Sequence, residues 1–464
     1  MILLGVWSMS LLVGPDLLYR EGGFAADVPL EVNAQGRFAA VGAGHNAELR
    51  MAGKALLPGF VNVHSHSFQR LIRGRAESRA TSGRDFWSWR GTMYHAAATL
   101  TPEDVYDVAR MAFLEMVKSG TTTVGEFHYL HTAPDGHPYD DPNELAHRVI
   151  AAAESVGIRI VLLRSAYLRS GFEVPTDPGQ TRFFEAADAY LANTDALLAA
   201  YADSLTVNVG IAPHSIRAVP LEPLREIVAW GRKRELPIHM HVAEQVAENV
   251  ASQREYGATP VQLLADNGLL GEDFTGVHAI HITDQEIAAM ANSGAAICSC
   301  PTTERNLGDG ILAADKVMRA EIPIALGSDS QAQIDPLEDA RQLDLHLRLE
   351  RQERAVLDGI AGRAIAARLF DCATKSGAKS LKVNAGDLTA GKLADFVTVD
   401  RDDLSIAGNS ADDLLPTIVF GMDRTAVRDV AVGGRFILRD GHHALEEEIL
   451  TRYKAVHARV WGKS

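Results

Sequence analysis

Two histidines separated by one residue, His64 and His66, follow an apolar run that leaves a Pro-Gly pair at 58–59. On a β-strand, side chains two residues apart point to the same face, so both imidazoles face one spot. Two neutral imidazoles in this arrangement suit a zinc-type cation, which binds ring nitrogens at about 2.0–2.1 Å. The pair alone also fits two histidines hydrogen-bonded in a loop. Further ligands elsewhere in the chain therefore decide for or against a metal site.

Polar side chains that could complete such a site follow later in the chain. His241 lies in an apolar strand that also carries His239, and either histidine could instead be packed in the core. Asp329 follows another predicted strand, where it could bind a metal or cap the next helix. Three histidines and one aspartate can close around one metal and leave a position open for water, as a catalytic zinc requires.

Short strands separated by helical patterns predict an α/β fold, a (β/α)8 TIM-type barrel over residues 58–384. The working residues of such barrels lie at the carboxyl ends of the strands. Residues 1–57 and 385–464 carry short strands broken by turn residues, and we expect these segments to meet in one small β-sandwich that ends in a C-terminal helix. The strand candidates of the barrel are 59–64, 122–127, 159–165, 206–212, 237–242, 276–280, 295–299 and 322–327.

Composition excludes several classes of partner. The net charge of −15 argues against nucleic-acid and anionic-membrane surfaces, which favour basic patches. We expect no membrane span, and we interpret the apolar stretch 1–13 as strands rather than a signal peptide. Three cysteines cannot form a disulfide framework, so a reduced, cytoplasmic protein is expected. Neither a Gly-x-Gly-x-x-Gly motif nor a Walker-type loop indicates a nucleotide cofactor.

At its metal-ligand motifs the chain resembles the amidohydrolase superfamily, in the subgroup of metal-dependent aminohydrolases and deaminases. The matching stretches are PGFVNVHSH at 58–66, HVAE at 241–244, the strand around His278, GSD at 327–329 and the tail at 386–396. The resemblance implies one zinc ion per chain, because strand four ends in no lysine that could bridge a second metal. It implies as zinc ligands His64, His66, His241 and Asp329, with His278 beside the reacting water and Glu244 as the proton shuttle.

Four further stretches make the resemblance more specific. Residues 86–90, 125–129, 214–219 and 303–310 are similar to the formimidoylglutamate deiminase family. That resemblance implies a homodimer that hydrolyses N-formimino-L-glutamate to N-formyl-L-glutamate and ammonia in histidine degradation. In the implied reaction Asp329 takes the proton of the attacking water, and Glu244 delivers a proton to the leaving nitrogen. The implied substrate-binding residues are Gln69, Arg90, Tyr129, His214 and Arg217.

The residue types agree with a small dicarboxylate partner, because arginine forms bidentate pairs with carboxylates. Arg90 could instead cover tryptophan faces at the surface, and Arg217 could be an ordinary charge at a helix start. The alternative within the same chemistry is a deaminase of a purine or related heterocycle, which would use an aromatic floor and amide donors. A non-catalytic metal-binding barrel is a third interpretation of the sequence. The segment 74–92 is our candidate for closing the pocket.

Overall fold

The computed structural model describes residues 10–42, 47–78, 86–175 and 177–462, and for residues 86–88 it describes the backbone alone. The segment 74–92, predicted to close the pocket, therefore lies partly outside the described residues, as does most of the stretch 1–13. Within the described part of the chain, no helix has both the length and the apolar composition that a membrane span requires.

The described strands form two sheets of eight strands each. The first sheet is built from both ends of the chain, and the second from the middle. In chain order the strands are β1 (Leu11–Arg20), β2 (Gly23–Ala26), β3 (Leu30–Val32), β4 (Phe38–Val41), β5 (Leu49–Pro58), β6 (Phe60–Ser65), β7 (Thr121–His128), β8 (Arg159–Ala166), β9 (Val207–Pro213), β10 (Ile238–Val242), β11 (Phe274–His278), β12 (Ala296–Ser299), β13 (Ile324–Leu326), β14 (Phe396–Asp400), β15 (Val427–Val432) and β16 (Arg435–Leu438).

The terminal sheet joins the two ends of the chain directly. Its order is β16-β15-β14-β5-β1-β3-β4, and β2 pairs with β1. Strand β14, from the C-terminal segment, pairs antiparallel with β5, from the N-terminal segment. A buried ion pair ties this sheet to the barrel, because Arg159 on β8 binds Asp395, which precedes β14, at 2.9 Å. The expected meeting of the two termini in one β-domain is thus observed.

Strands β6 to β13 run parallel, each beside the next, which confirms the predicted barrel. Almost every residue of these strands is buried, as expected where a parallel sheet has both faces covered. Between β13 and β6 a parallel bridge joins Ser65 to Asp329. Side chains reinforce this junction: the Asn62 amide donates to Ser328 Oγ at 2.7 Å, and the Gln331 amide donates to Ser65 Oγ at 2.9 Å. The first and last strands of the barrel are therefore held together where the predicted metal ligands lie.

Helices cover the outside of the barrel and follow amphipathic stretches of the sequence. The second of them begins at a capping box, in which Thr101 accepts from the Asp104 backbone and Asp104 accepts from that of Thr101. The helices are α1 (Phe86–Thr99), α2 (Pro102–Lys118), α3 (Glu144–Val156), α4 (Ala187–Ala200), α5 (Leu221–Lys233), α6 (Val246–Tyr256), α7 (Pro260–Asp266), α8 (Asp284–Ser293), α9 (Pro301–Leu307), α10 (Ala314–Arg319), α11 (Pro336–Arg351), α12 (Ile365–Cys372), α13 (Lys375–Ser380), α14 (Leu414–Gly421) and the C-terminal α15 (Glu446–Trp461).

Candidate active site

Three histidines from two strands converge at the carboxyl end of the barrel. His64 lies near the end of β6, His66 follows that strand, and His241 lies on β10. Their ligand nitrogens all lie within 4.8 Å of one another, and Nε2 of His64 is 3.1 Å from Nε2 of His241. His239, the alternative on the same strand, points its Nε2 at the Ser380 carbonyl at 3.2 Å instead. The structure therefore gathers the three predicted histidines and leaves His239 in the core.

Hydrogen bonds behind two of these three rings orient them for a cation. Nδ1 of His66 lies 2.8 Å from the Phe127 carbonyl, and Nδ1 of His241 lies 2.9 Å from the His214 carbonyl. Because a carbonyl only accepts, each Nδ1 carries the hydrogen, and each Nε2 lone pair faces the centre. Burial lowers the pKa of His64 to about 3, which keeps this ring neutral as well. Neutral imidazole nitrogens around one buried point fit a transition-metal ion.

Asp329 completes the group from the loop after β13. Its Oδ1 lies 3.4 Å from Nε2 of His64 and 3.3 Å from Nε2 of His66. Burial alone raises the pKa of this carboxyl, but its contacts with the surrounding histidines, His64 foremost and then His278, outweigh burial and bring the pKa below its usual range. The helix-cap alternative is wrong, since Asp335 caps α11. Asp329 is thus an ionised carboxylate facing the histidine nitrogens.

His278 and Glu244 lie beside this group at the ends of β11 and β10. Nε2 of His278 is 3.7 Å from Glu244 Oε1 and 3.7 Å from Asp329 Oδ2. Burial lowers the pKa of His278, yet the surrounding carboxylates, Glu244 foremost, raise it well above its usual value. Burial also raises the pKa of Glu244. The two residues predicted to handle protons therefore face the predicted metal ligands.

A pocket opens above these residues. All five predicted substrate-binding residues line it together with the predicted metal and proton-transfer residues His66, His241, Glu244, His278 and Asp329. Gln69 and Tyr129 are joined, since the Gln69 amide donates to the Tyr129 hydroxyl at 2.7 Å. Among the described residues the buried Gln69 Oε1 finds no hydrogen-bond partner, so this oxygen can accept from a ligand.

The pocket is lined by side chains of both charges. Arg90 projects from α1, and Arg217 lies in the turn between β9 and α5, whose backbone is held by Arg169 through the Arg217 carbonyl at 2.9 Å. Burial lowers the pKa of Arg90, and the positive charge of Arg217 lowers it further, so these guanidiniums repel each other. An anionic ligand between them relieves this repulsion. The same pocket holds the carboxylates of Glu244 and Asp329, and burial lowers the pKa of Arg217 less than the surrounding groups, Tyr167 and Glu248 foremost, raise it.

Several residues of the site carried no signal that sequence reasoning used. Tyr94 and Phe183 line the pocket, and the guanidinium of Arg90 lies over the Tyr94 ring at 5.3 Å. The four-residue spacing of Arg90 and Tyr94 on one helix could have indicated that both share a face. Glu304 lies within a stretch that the sequence analysis singled out, but its contact with His278 at 3.3 Å was not anticipated.

Comparison with known proteins agrees with this arrangement. The model of the amidohydrolase family matches residues 55–437. The chain belongs to the amidohydrolase family. It is 38% identical over 441 residues to formimidoylglutamate deiminase of Pseudomonas aeruginosa, covering 95% of this chain and 97% of that protein. It is 29% identical to 5-methylthioadenosine/S-adenosylhomocysteine deaminase of Halobacterium salinarum, covering 87% and 86%.

A solved structure gives the same result for the fold. An amidohydrolase from Brucella melitensis superposes with a TM-score of 0.90 at 32% identity, covering 97% of this chain and 99% of that one. This amidohydrolase is accordingly an enzyme with a TIM-type barrel, and its family binds a metal. The cluster of His64, His66 and His241 provides the donor set for such an ion.

Proposed function

We propose that this amidohydrolase hydrolyses N-formimino-L-glutamate to N-formyl-L-glutamate and ammonia. The observation that carries the proposal is the pairing of Arg90 and Arg217 in the same pocket as the histidine–aspartate group. A substrate that suits this pocket is anionic at one end and presents a hydrolysable, basic nitrogen group at the other. The 38% identical relative bears the name formimidoylglutamate deiminase, which agrees with this chemistry.

The polarity of the pocket suggests how the substrate lies. The two carboxylates of the glutamate part pair with Arg90 and Arg217, which fix them by charge-assisted hydrogen bonds. His214 lines the pocket between these arginines and the histidine group and offers a further hydrogen bond. The free Gln69 Oε1 accepts a substrate N–H, while Tyr129 holds the Gln69 amide in place. The contribution of these residues is mainly positioning.

We assign one zinc ion per chain to this site, held by His64, His66, His241 and Asp329. The donor set supports zinc, because three neutral imidazoles and one carboxylate match its preferred ligands. When bound, the ion supplies Lewis-acid chemistry and makes water acidic enough to serve as a nucleophile near neutral pH.

The remaining steps are carried by side chains. Asp329 accepts the proton of the attacking water at a carboxylate oxygen. Nε2 of His278 orients the oxygen of that water toward the formimino carbon. Addition gives a tetrahedral intermediate. Glu244, whose pKa burial raises, gives its proton to the imine nitrogen during this addition. Asp329 then passes the proton that it accepted to the same nitrogen, and ammonia leaves while Glu244 takes up the hydroxyl proton of the intermediate, whose oxygen becomes the formyl carbonyl. Water is consumed, one carbon–nitrogen bond breaks and one carbon–oxygen double bond forms.

A deaminase of a purine or related heterocycle is the second candidate. It is favoured by the aromatic side chains of Trp89, Tyr94 and Phe183 in the pocket and by the similarity to the Halobacterium salinarum enzyme. A dicarboxylate forms charge-assisted hydrogen bonds with the two half-buried arginines, Arg90 and Arg217, whereas a neutral heterocycle has no charge to offer them. The dicarboxylate is therefore the better match. The structure does not favour a non-catalytic metal-binding barrel, because Glu244 lies 3.7 Å from His278, next to the predicted metal ligands.

Ammonia release from a small substrate panel tests the proposal. We expect metal-replete enzyme to release ammonia from N-formimino-L-glutamate, and not from adenosine, guanine or buffer alone. Enzyme stripped by a chelator should lose this activity and regain it when zinc is added back. Faster ammonia release from a purine would contradict the assigned substrate. Full activity of the chelator-stripped enzyme would contradict the assigned metal.

The wider biological setting follows from the same substrate. The reaction belongs to histidine degradation, and we place it in the cytoplasm in a homodimer. We divide the chain into residues 1–57, 58–384 and 385–464, since the terminal sheet resumes at β14. Size-exclusion chromatography with light scattering tests the dimer.

A further inference from the structure

Glu304 is a buried carboxylate directly behind the pocket. It lies on α9, just after β12, and its side chain is 3% exposed. The backbone N–H of Cys300 donates to its Oε1 at 2.7 Å, and the Ser299 hydroxyl donates to its Oε2 at 3.0 Å. Both oxygens are therefore occupied, and the carboxylate cannot rotate without losing bonds that nothing replaces in a buried site.

The same carboxylate contacts the residue assigned to orient the attacking water. Oε1 of Glu304 lies 3.3 Å from Nδ1 of His278, while Nε2 on the other side of the ring faces Glu244 and Asp329 at 3.7 Å each. A carboxylate that accepts at Nδ1 ensures that Nδ1 carries the hydrogen and fixes the plane of the ring. Nε2 is thereby aimed at the place where bonds change.

The backbone at His278 gives a reason why such a support is needed. His278 and the following Ala279 have φ angles of 71° and 50°, in the left-handed region that residues with a side chain rarely adopt. Strained conformations of this kind persist where surrounding contacts overdetermine them. Only one contact, that of Glu304, reaches Nδ1 in the described structure.

We infer that Glu304 is a positioning residue that holds Nδ1 of His278 and so aims Nε2 at the reacting centre. This inference rests on the proposed role of His278. It goes beyond the proposed function because it adds a third carboxylate to Asp329 and Glu244, one that acts through His278 and contacts neither substrate nor metal ligand. The competing explanation is that Glu304 only stabilises the turn between β12 and α9 through Ser299 and Cys300.

Kinetics of Glu304→Leu give the first test. Loss of a residue that orients a catalytic group costs about 10–100-fold, so we expect kcat to fall by that factor with KM within about twofold and metal content unchanged. Glu304→Gln keeps an acceptor oxygen for Nδ1 and should recover most of the loss. The control is Glu286→Leu, which removes another buried glutamate, the one in the α8 capping box. It should lower the melting temperature and leave kcat unchanged.

A double-mutant cycle separates the two explanations. His278→Gln retains an amide nitrogen that reaches toward the centre but has no counterpart of Nδ1. If Glu304 acts through His278, adding Glu304→Leu to this variant should change kcat by less than twofold. If Glu304 is only structural, the same 10–100-fold loss should recur in the His278→Gln background, which would overturn the inference.

A proton NMR resonance of the His278 ring gives a test that does not depend on the substrate. The hydrogen-bonded Nδ1–H of His278 should give a downfield imidazole resonance that is absent from His278→Gln and lost or shifted upfield in Glu304→Leu. An unchanged resonance in Glu304→Leu would show that the carboxylate does not hold this nitrogen. If N-formimino-L-glutamate is not turned over, the proposed function fails, while this resonance still decides whether Glu304 holds the ring.

Discussion

The base of the pocket and its mouth are built in different ways. At the base, His64 and His241 lie on barrel strands and are almost fully buried, and the His214 carbonyl holds Nδ1 of His241 from behind. At the mouth, Arg90 projects from a helix and Arg217 from a turn, and both are only half-buried. The base thus has a geometry set by strand pairing, whereas the mouth depends on how outer elements pack against the barrel. The proposed function places the reaction in the first region and substrate selection in the second.

Backbone strain follows the same division. Three residues with side chains adopt left-handed conformations at or just after the ends of β10, β11 and β13: Ala243, His278 and Asp329, with φ angles of 49°, 71° and 46°. Each costs of order 1 kcal/mol or more, which packing elsewhere must offset. Gln69 and Arg90 lie in helical segments. Of the two regions of the pocket, the base therefore carries this strain.

The largest effects should come from the base. In Asp329→Asn and Glu244→Gln the shape of each side chain is retained, but neither amide can accept and pass on a proton. We expect kcat to fall by about 10²–10⁴-fold, with KM changed little, because the substrate-holding arginines are intact. Steady-state ammonia release measures both constants.

Metal analysis and circular dichroism serve as controls for these two variants, which should fold and keep most of their zinc. A near-normal kcat in either one would show that the proton path has been assigned to the wrong carboxylate. The base would then not be the region that sets the rate.

Substitutions at the mouth should change KM instead of kcat. Arg90→Met and Arg217→Met each remove a guanidinium while keeping an unbranched side chain. A hydrogen bond to a charged group contributes about 1.5–3 kcal/mol, so KM should rise about 10–100-fold in each variant with zinc content intact. Arg225→Met, on the exposed face of α5, is the matched control and should leave KM unchanged. An unchanged KM in Arg90→Met or Arg217→Met would remove that arginine from the site.

The division also explains what the sequence could reveal. Spacing alone indicated the barrel, because its strands are short apolar runs separated by helical patterns. The prediction for one strand, 276–280, extended too far, since β11 ends at His278 where the backbone turns left-handed. Strand pairing then brings His64, His66 and His241 together wherever the barrel forms, so spacing along the chain carries their geometry.

The mouth could not be derived in this way. Arg90 and Arg217 were predicted as site residues through resemblance to a family. They lie 127 positions apart in the sequence, and this separation does not predict that both line the same pocket. Tyr94 and Phe183 come from α1 and from a loop whose positions depend on tertiary packing. Glu304 was missed for the same reason, since its contact with His278 exists only after α9 docks behind β11.

The smallest effect should come from Tyr129, which joins the two regions. Its hydroxyl accepts from the Gln69 amide at 2.7 Å, and its ring lies 4.9 Å from that of His66. Tyr129→Phe keeps the ring and removes only the hydroxyl, so the Gln69 amide loses one neutral hydrogen bond worth about 0.5–1.5 kcal/mol. We expect KM for N-formimino-L-glutamate to rise about 2–10-fold while kcat stays within about twofold. A fall in kcat with an unchanged KM would instead assign Gln69 and Tyr129 to the base, the region that sets the rate, and not to the region that binds the substrate.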